Sequence, residues 1–117
     1  MCCFRNNAIV ALALAGVLLP SAAALAAGAY DGTWTGKETS GGCAGTVVTI
    51  TVADNVASAN FSGSFQWTFH GKPIPSDDTV KWVNKEGAVS RARFMGTTFE
   101  MTSNAPCGHL SVTGSKQ

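Results

Sequence analysis

From residue 27 onward the sequence predicts an all-β fold, an antiparallel meander of about eight short strands forming a small closed or flattened β-barrel. Three observations carry this expectation. Apolar side chains recur at every second position, the spacing that lines one face of a strand. Turn signals rich in glycine separate runs of strand length. No window shows the i, i+3, i+4, i+7 apolar spacing of an amphipathic helix.

Taken in order, strands are expected near residues 32–39, 45–53, 56–62, 64–70, 79–84, 88–94, 97–103 and 108–115. Val48, Ile50 and Val52 alternate with Thr49 and Thr51, and Phe65, Trp67 and Phe69 alternate with Gln66, Thr68 and His70. Val80 and Trp82 flank Lys81, and Ala92 and Phe94 alternate with Arg91 and Arg93. Phe99 and Met101 alternate with Thr98 and Glu100, as Leu110 and Val112 do with Ser111 and Thr113. The breaks are Ser40-Gly41-Gly42, Asp54-Asn55, Ser62-Gly63, Lys85-Glu86-Gly87 and Met95-Gly96. A two-residue loop at Met95-Gly96 would pair Phe94 with Thr97, Ala92 with Phe99 and Arg91 with Glu100; a bulged three-residue loop is the alternative. The one segment of loop composition is Gly71 to Asp78, with Pro73 and Pro75. Closure of the sheet would remove the edges that a secreted β-protein must protect.

Residues 1–26 read as a signal peptide with a signal helix, and residues 27–117 as a single β domain. Arg5 precedes an unbroken apolar run from Ala8 to Leu19, then Pro20 and small residues ending in Ala24-Leu25-Ala26. This is the order of a cleavable export signal, and the run is shorter than a spanning helix needs. A second cleavage triplet, Ala27-Gly28-Ala29, would start the mature chain at Tyr30. Cys2 and Cys3 would leave with the signal, which makes Cys43 and Cys107 the one intramolecular disulfide possible in an oxidising compartment. Free thiols or an intermolecular bridge are the alternatives. The expected location is periplasmic or extracellular, with no membrane span after cleavage.

Without Arg5 the mature chain has seven basic residues (Lys37, Lys72, Lys81, Lys85, Arg91, Arg93, Lys116) and seven acidic ones (Asp31, Glu38, Asp54, Asp77, Asp78, Glu86, Glu100). A neutral chain with no run of Lys or Arg has little to offer polyphosphate or anionic lipid, so nucleic acid is not an expected partner. A monomer is expected.

Little in the chain points to catalysis. His70 and His109 have no company at metal-ligand spacing, so no metal and no cofactor are expected. No serine or cysteine sits at a strand-turn-helix elbow. Glu38 and Glu100 are the only strand-borne carboxylates that could work as a pair on a glycosidic bond, and Glu100 is accounted for by Arg91. Gly41, Gly42 and Gly45 precede a strand rather than a helix, unlike a phosphate-binding loop.

Two groups of residues are candidates for binding. Trp34, Phe65, Trp67, Phe69, Trp82 and Phe99 are candidates to line an apolar ligand pocket, though a short barrel has an interior that such side chains also fill. Lys72, Pro73, Ile74 and Pro75 form a stiff, extended segment that would lose little entropy on meeting a partner. Ile74 would be its anchor, or else would tuck under the sheet.

The segment Tyr30-Asp31-Gly32-Thr33-Trp34, with Cys43 and a closing Cys107-Gly108-His109-Leu110, resembles short uncharacterised exported bacterial proteins that open with aromatic-Asp-Gly-x-Trp. That resemblance implies a compact β domain and no activity. Gly32-Thr33-Trp34 is also similar to the first strand of lipocalins and avidins, which implies a barrel with the tryptophan plugging one end. The function expected is an exported, non-catalytic protein-interaction module of the cell envelope. A lipocalin-like binder of a small apolar ligand is the second reading, and an enzyme of unknown class the third.

Overall fold

The computed structural model describes residues 28–117, so the signal peptide expected at residues 1–26 lies outside the described residues. Eight strands follow in chain order: β1 (Gly32–Lys37), β2 (Val47–Ala53), β3 (Val56–Ser62), β4 (Trp67–Pro73), β5 (Thr79–Val83), β6 (Val89–Met95), β7 (Thr98–Ala105) and β8 (Gly108–Lys116). The all-β meander read from the sequence is the observed fold. Every pairing is antiparallel, and the strands form one sheet in the order β4-β3-β2-β1-β8-β7-β6-β5. The first and last strands therefore meet in the middle of the sheet, and the curled sheet nearly closes where β4 faces β5. No helix among the described residues is long and apolar enough to cross a membrane.

Alternation places one face of each strand inside. In β7 the odd-numbered residues Phe99, Met101 and Ser103 are buried and their neighbours are exposed. At one inward position a large side chain meets small cross-strand neighbours. Trp82 pairs with Ser90, which pairs with Ser103, and the two serines share a buried hydrogen bond of 2.7 Å. Their polar groups satisfy each other, as buried hydroxyls must. At the junction of β1 and β8, Gly36 pairs with Gly114. A Cβ on Gly114 would collide with the Thr35 carbonyl oxygen and the Phe99 ring, so glycine lets these strands approach over the aromatic core.

Two expectations about register need correction. The β6–β7 hairpin turns on Gly96-Thr97 rather than Met95-Gly96, so Met95 pairs with Thr98, Phe94 with Phe99, Ala92 with Met101 and Arg93, not Arg91, with Glu100. The reason is the backbone. Gly96 has φ +65° and Thr97 is not left-handed, the pattern of a turn with glycine at its first central position. Because each strand shifts by one residue, the inward face is unchanged. The second correction concerns β4, which runs three residues later than 64–70 and continues through Lys72 and Pro73. Between the pairs Ala59–Phe69 and Ala57–Lys72, β4 has two residues and β3 one. This bulge at His70-Gly71 absorbs the irregularity and lets pairing continue into the segment expected to be loop.

The opening motif closes one end of the barrel. Trp34 is fully buried, packs edge-on against Phe94 at 5.0 Å, and donates its indole N–H to the Tyr30 carbonyl at 2.9 Å. Tyr30 stacks on Phe94 with ring centroids 5.1 Å apart. The Asp31 carboxylate accepts the amides of Asp54 and Asn55, the two left-handed residues of the β2–β3 turn, at 3.1 and 3.2 Å. Burial, followed by the nearby Asp78 carboxylate, holds the Tyr30 phenol above its ordinary ionisation range. At the other end, the Cys43–Cys107 disulfide joins the β1–β2 loop to the β7–β8 turn. The Ser111 amide donates to Glu38 Oε2 at 3.0 Å and, with the amides of Ser40 and Thr39, holds that carboxyl below the usual glutamate range.

Two measurements test these end closures. Replacing both Cys43 and Cys107 by alanine should cost about 4 kcal/mol in urea unfolding, from the loop-closure entropy of a bridge spanning 64 residues. Tyr30 is the sole tyrosine, so ultraviolet titration reads it alone. Its midpoint should lie above the ordinary tyrosine value and move down, without reaching it, in Asp78→Asn. A raised folded-state pKa means that this contribution to stability is complete below the unfolded tyrosine value and is lost as pH rises through the folded one.

Candidate functional site

β4 and β5 are consecutive, antiparallel and joined by five residues, yet they form no hydrogen-bonded ladder with each other. The connector explains part of this. Pro73 and Pro75 have no N–H to give. The Ile74 amide donates to the Asn55 carbonyl at 2.9 Å, and Asn55 Nδ2 donates back to the Ile74 carbonyl at 3.1 Å. On the other side, the Asp78 carbonyl accepts the Phe94 amide at 2.9 Å. The connector is thus tied to the β2–β3 turn and to β6, which spreads β4 from β5.

A single side chain spans the gap from inside. Trp82 of β5 is 1% exposed, and its indole N–H donates to the Ala57 carbonyl of β3 at 3.3 Å, next to the β4 bulge. Its ring lies 6.0 Å from that of Phe69. The two rings seal the seam toward the core while the backbone edges above them stay unpaired.

Over this seam lies a cleft of about 440 Å³. Its floor is Phe69 and Trp82, its walls are the half-buried Trp67 and the 55% exposed Val83, and its rim carries Lys72, Lys85 and Glu86. His70 and Asn84 complete the polar lining. Asn84 accepts the Ala88 amide at Oδ1, but its buried Nδ2 has no protein partner. A second depression, about 130 Å³, lies on the outer face near Arg91 and His109 and has a mainly polar lining.

The six aromatic candidates divide. Trp67, Phe69 and Trp82 line the cleft, whereas Trp34 and Phe99 are fully buried in the core. Phe65 packs against Phe61 and Trp67 from the β3–β4 loop. Of the four connector candidates, Lys72 reaches the cleft rim, and Pro73 and Pro75 are exposed. Ile74 is not an exposed anchor: it is 6% accessible and belongs to the hydrophobic core, held there by the two bonds to Asn55. The sequence reading passed over Val83, Asn84, Lys85 and Glu86. Val83 did carry a signal, since it is an apolar residue at the outward phase of its strand, directly after Trp82.

The register also gathers charge that is scattered along the chain. Lys81 pairs with Arg91 and Thr79 with Arg93, all on the exposed face of β5 and β6. With Lys72 and Lys85 on the cleft rim, five of the seven basic residues of the domain stand on or beside the seam. On strands β4 to β6 and the turn between β5 and β6 the one acidic residue is Glu86; Asp77 and Asp78 lie in the connector at the opposite end.

No known protein family, curated protein or solved structure matches this chain at a significant level.

Replacing Trp82 by phenylalanine keeps a ring over the seam and removes the donor to Ala57. The expected loss is about 1 to 3 kcal/mol in urea unfolding, because a buried carbonyl is left without its partner and some volume is vacated. A change below about 0.5 kcal/mol would mean that the indole does not hold the seam.

Proposed function

We propose that this protein is an exported, non-catalytic interaction module of the cell envelope, periplasmic or extracellular, that holds a segment of a partner protein in the cleft between β4 and β5. The observation that carries the reading is the seam, where an apolar floor lies between two unpaired strand edges. Exposed edges invite association and are usually blunted by bulges, lysines, prolines or shortness. Here the lower half of the seam is blunted by the His70-Gly71 bulge, Lys72, Pro73 and Pro75. The upper half, Trp67 to Phe69 against Trp82 and Val83, has no such protection from bulge or proline, and it has the exposed apolar side chain. The disulfide is compatible with an oxidising compartment.

A small apolar ligand is the second reading, favoured by the cleft's volume, which falls in the size range of small-molecule sites. It would sit on Trp67 and Phe69 at the seam. The barrel interior, the usual place for a lipocalin-like ligand, is occupied by Trp34, Phe61, Phe94 and Phe99.

A photoreactive amino acid at position 83, with one at exposed Thr113 on the far side of the barrel as control, tests the reading in cells that export the protein. Crosslinking to one discrete polypeptide from position 83 and not from 113 is expected. A small molecule retained in native mass spectra, with no polypeptide crosslink, would favour the second reading. Equal crosslinking at both positions would remove the seam from consideration.

A further inference from the structure

We infer that the occupant of the cleft is an extended, acidic peptide segment that hydrogen-bonds as an added strand to the free edge of β5, beside Trp67 to Phe69 of β4. This deepens the interaction reading above and rests on it. Three observations converge on the choice of occupant. The first is that β5 is the more regular of the two edges. Its five residues pair with β6 from Thr79–Arg93 to Val83–Val89 without a shift, whereas β4 is bulged at His70-Gly71 and ends in Pro73. A regular edge presents its unpaired amides and carbonyls at strand spacing, which is what an incoming backbone requires.

The second is the charge beside that edge. From Lys81 to Lys85 this side carries Lys81, Arg91 and Lys85 against the single negative charge of Glu86, whereas nearer the connector Arg93 stands opposite Glu100 and Lys72 shares the end that holds Asp77 and Asp78. The domain as a whole is balanced at seven of each sign, so the excess is local to this stretch. Lys81 and Arg91 stand directly opposite each other, an arrangement that opposes sheet formation. An acidic side chain on an adjacent strand would relieve it. At the lower end Lys72 and Arg93 are offset by Asp77, Asp78 and Glu100, so carboxylates are favoured toward the Lys85 end of the segment.

The third is the pattern of side chains next to the edge. Val83 is 55% exposed on the outer face, two residues from Lys81 on the same face, so an added strand would find one apolar and one cationic neighbour there. Its inward residues would reach toward Trp67 and Trp82. The occupant is therefore an alternating segment, with carboxylates outward near Lys81 and an apolar residue near Val83. A nucleic acid strand could satisfy the charges, but it has no backbone donors and acceptors at the spacing of β5.

The test uses the purified, oxidised protein and a nine-residue peptide of alternating valine and threonine in which three outward positions are glutamate. The same peptide with lysine at those positions and an oligothymidylate of nine nucleotides are the controls. At about 20 mM salt the glutamate peptide should bind at least tenfold more tightly than the lysine peptide, and the advantage should shrink as screening rises. The amides of Lys81 and Val83, which face away from β6, should gain protection from hydrogen exchange when it binds. Lys81→Gln should weaken binding about threefold while leaving unfolding stability unchanged or raised, since it relieves the pair with Arg91. Binding without new protection in β5 would overturn strand addition while leaving cleft docking intact. Tighter binding of the oligothymidylate would overturn the peptide assignment. Failure of both peptides, alongside a crosslink from position 83, would overturn the acidic strand alone, and failure together with loss of that crosslink would remove the docking reading too.

Discussion

The structure depends on where its one open strand junction falls. An eight-stranded meander closes most directly by pairing its first and last strands, and here β1 and β8 do pair, with Gly36 against Gly114 at the crossing. The consequence is that closure passes to the consecutive strands β4 and β5. They face each other without a ladder, and a tryptophan side chain reaching β3 takes the place of main-chain bonds. Because Trp82 fills the inside of the seam, its outside can stay open without admitting water to the core. Packing and surface shape thus meet in one residue: the donor that holds β5 to β3 is also part of the floor of the cleft.

The two ends of the barrel are fixed by separate chemistry, which leaves the seam as the loosest part of the sheet. Trp34, Tyr30 and Phe94 close one end with aromatic contacts, and Asp31 secures the β2–β3 turn. Each residue that defines the opening motif has a structural role of this kind, including Gly32, whose φ of +138° is unfavourable for other residues. The motif is therefore accounted for by the fold and leaves the choice of site to the other features of the surface. At the other end the disulfide and Glu38 join β1 and its following loop to the β8 region. Neither closure reaches β4 or β5.

Much of the fold was legible in the chain because a strand's inward face repeats every second residue. Val48, Ile50 and Val52, or Phe99 and Met101, announce both the strand and its buried side. The disulfide was legible for a different reason, since two cysteines remain once residues 1–26 are read as a signal peptide. Register was harder. One glycine decides the β6–β7 hairpin, and the choice between Met95-Gly96 and Gly96-Thr97 depends on which residue takes the positive φ. The bulge in β4 was hidden because His70-Gly71 followed by Lys-Pro reads as the end of a strand. The site was the least legible part. Its basic face is assembled across β4, β5 and β6 from residues up to 21 positions apart, Lys72 to Arg93, so no local run of charge reveals it. Ile74 could be read as an anchor or as tucked under the sheet, and it is tucked into the core, whereas Val83 sits in a strand and is exposed.

β4 and β5 remain unpaired above a sealed core. Backbone nuclear magnetic resonance of the unliganded protein tests it most directly. Strong cross-strand contacts and slow hydrogen exchange are expected between β1 and β8 and between β2 and β3. Between Trp67–Phe69 and Trp82–Val83 no cross-strand backbone contacts and fast exchange of the amides that face the seam are expected, with the Trp82 indole N–H protected. Slow exchange and regular cross-strand contacts between those two segments would show a fully closed barrel and would contradict it.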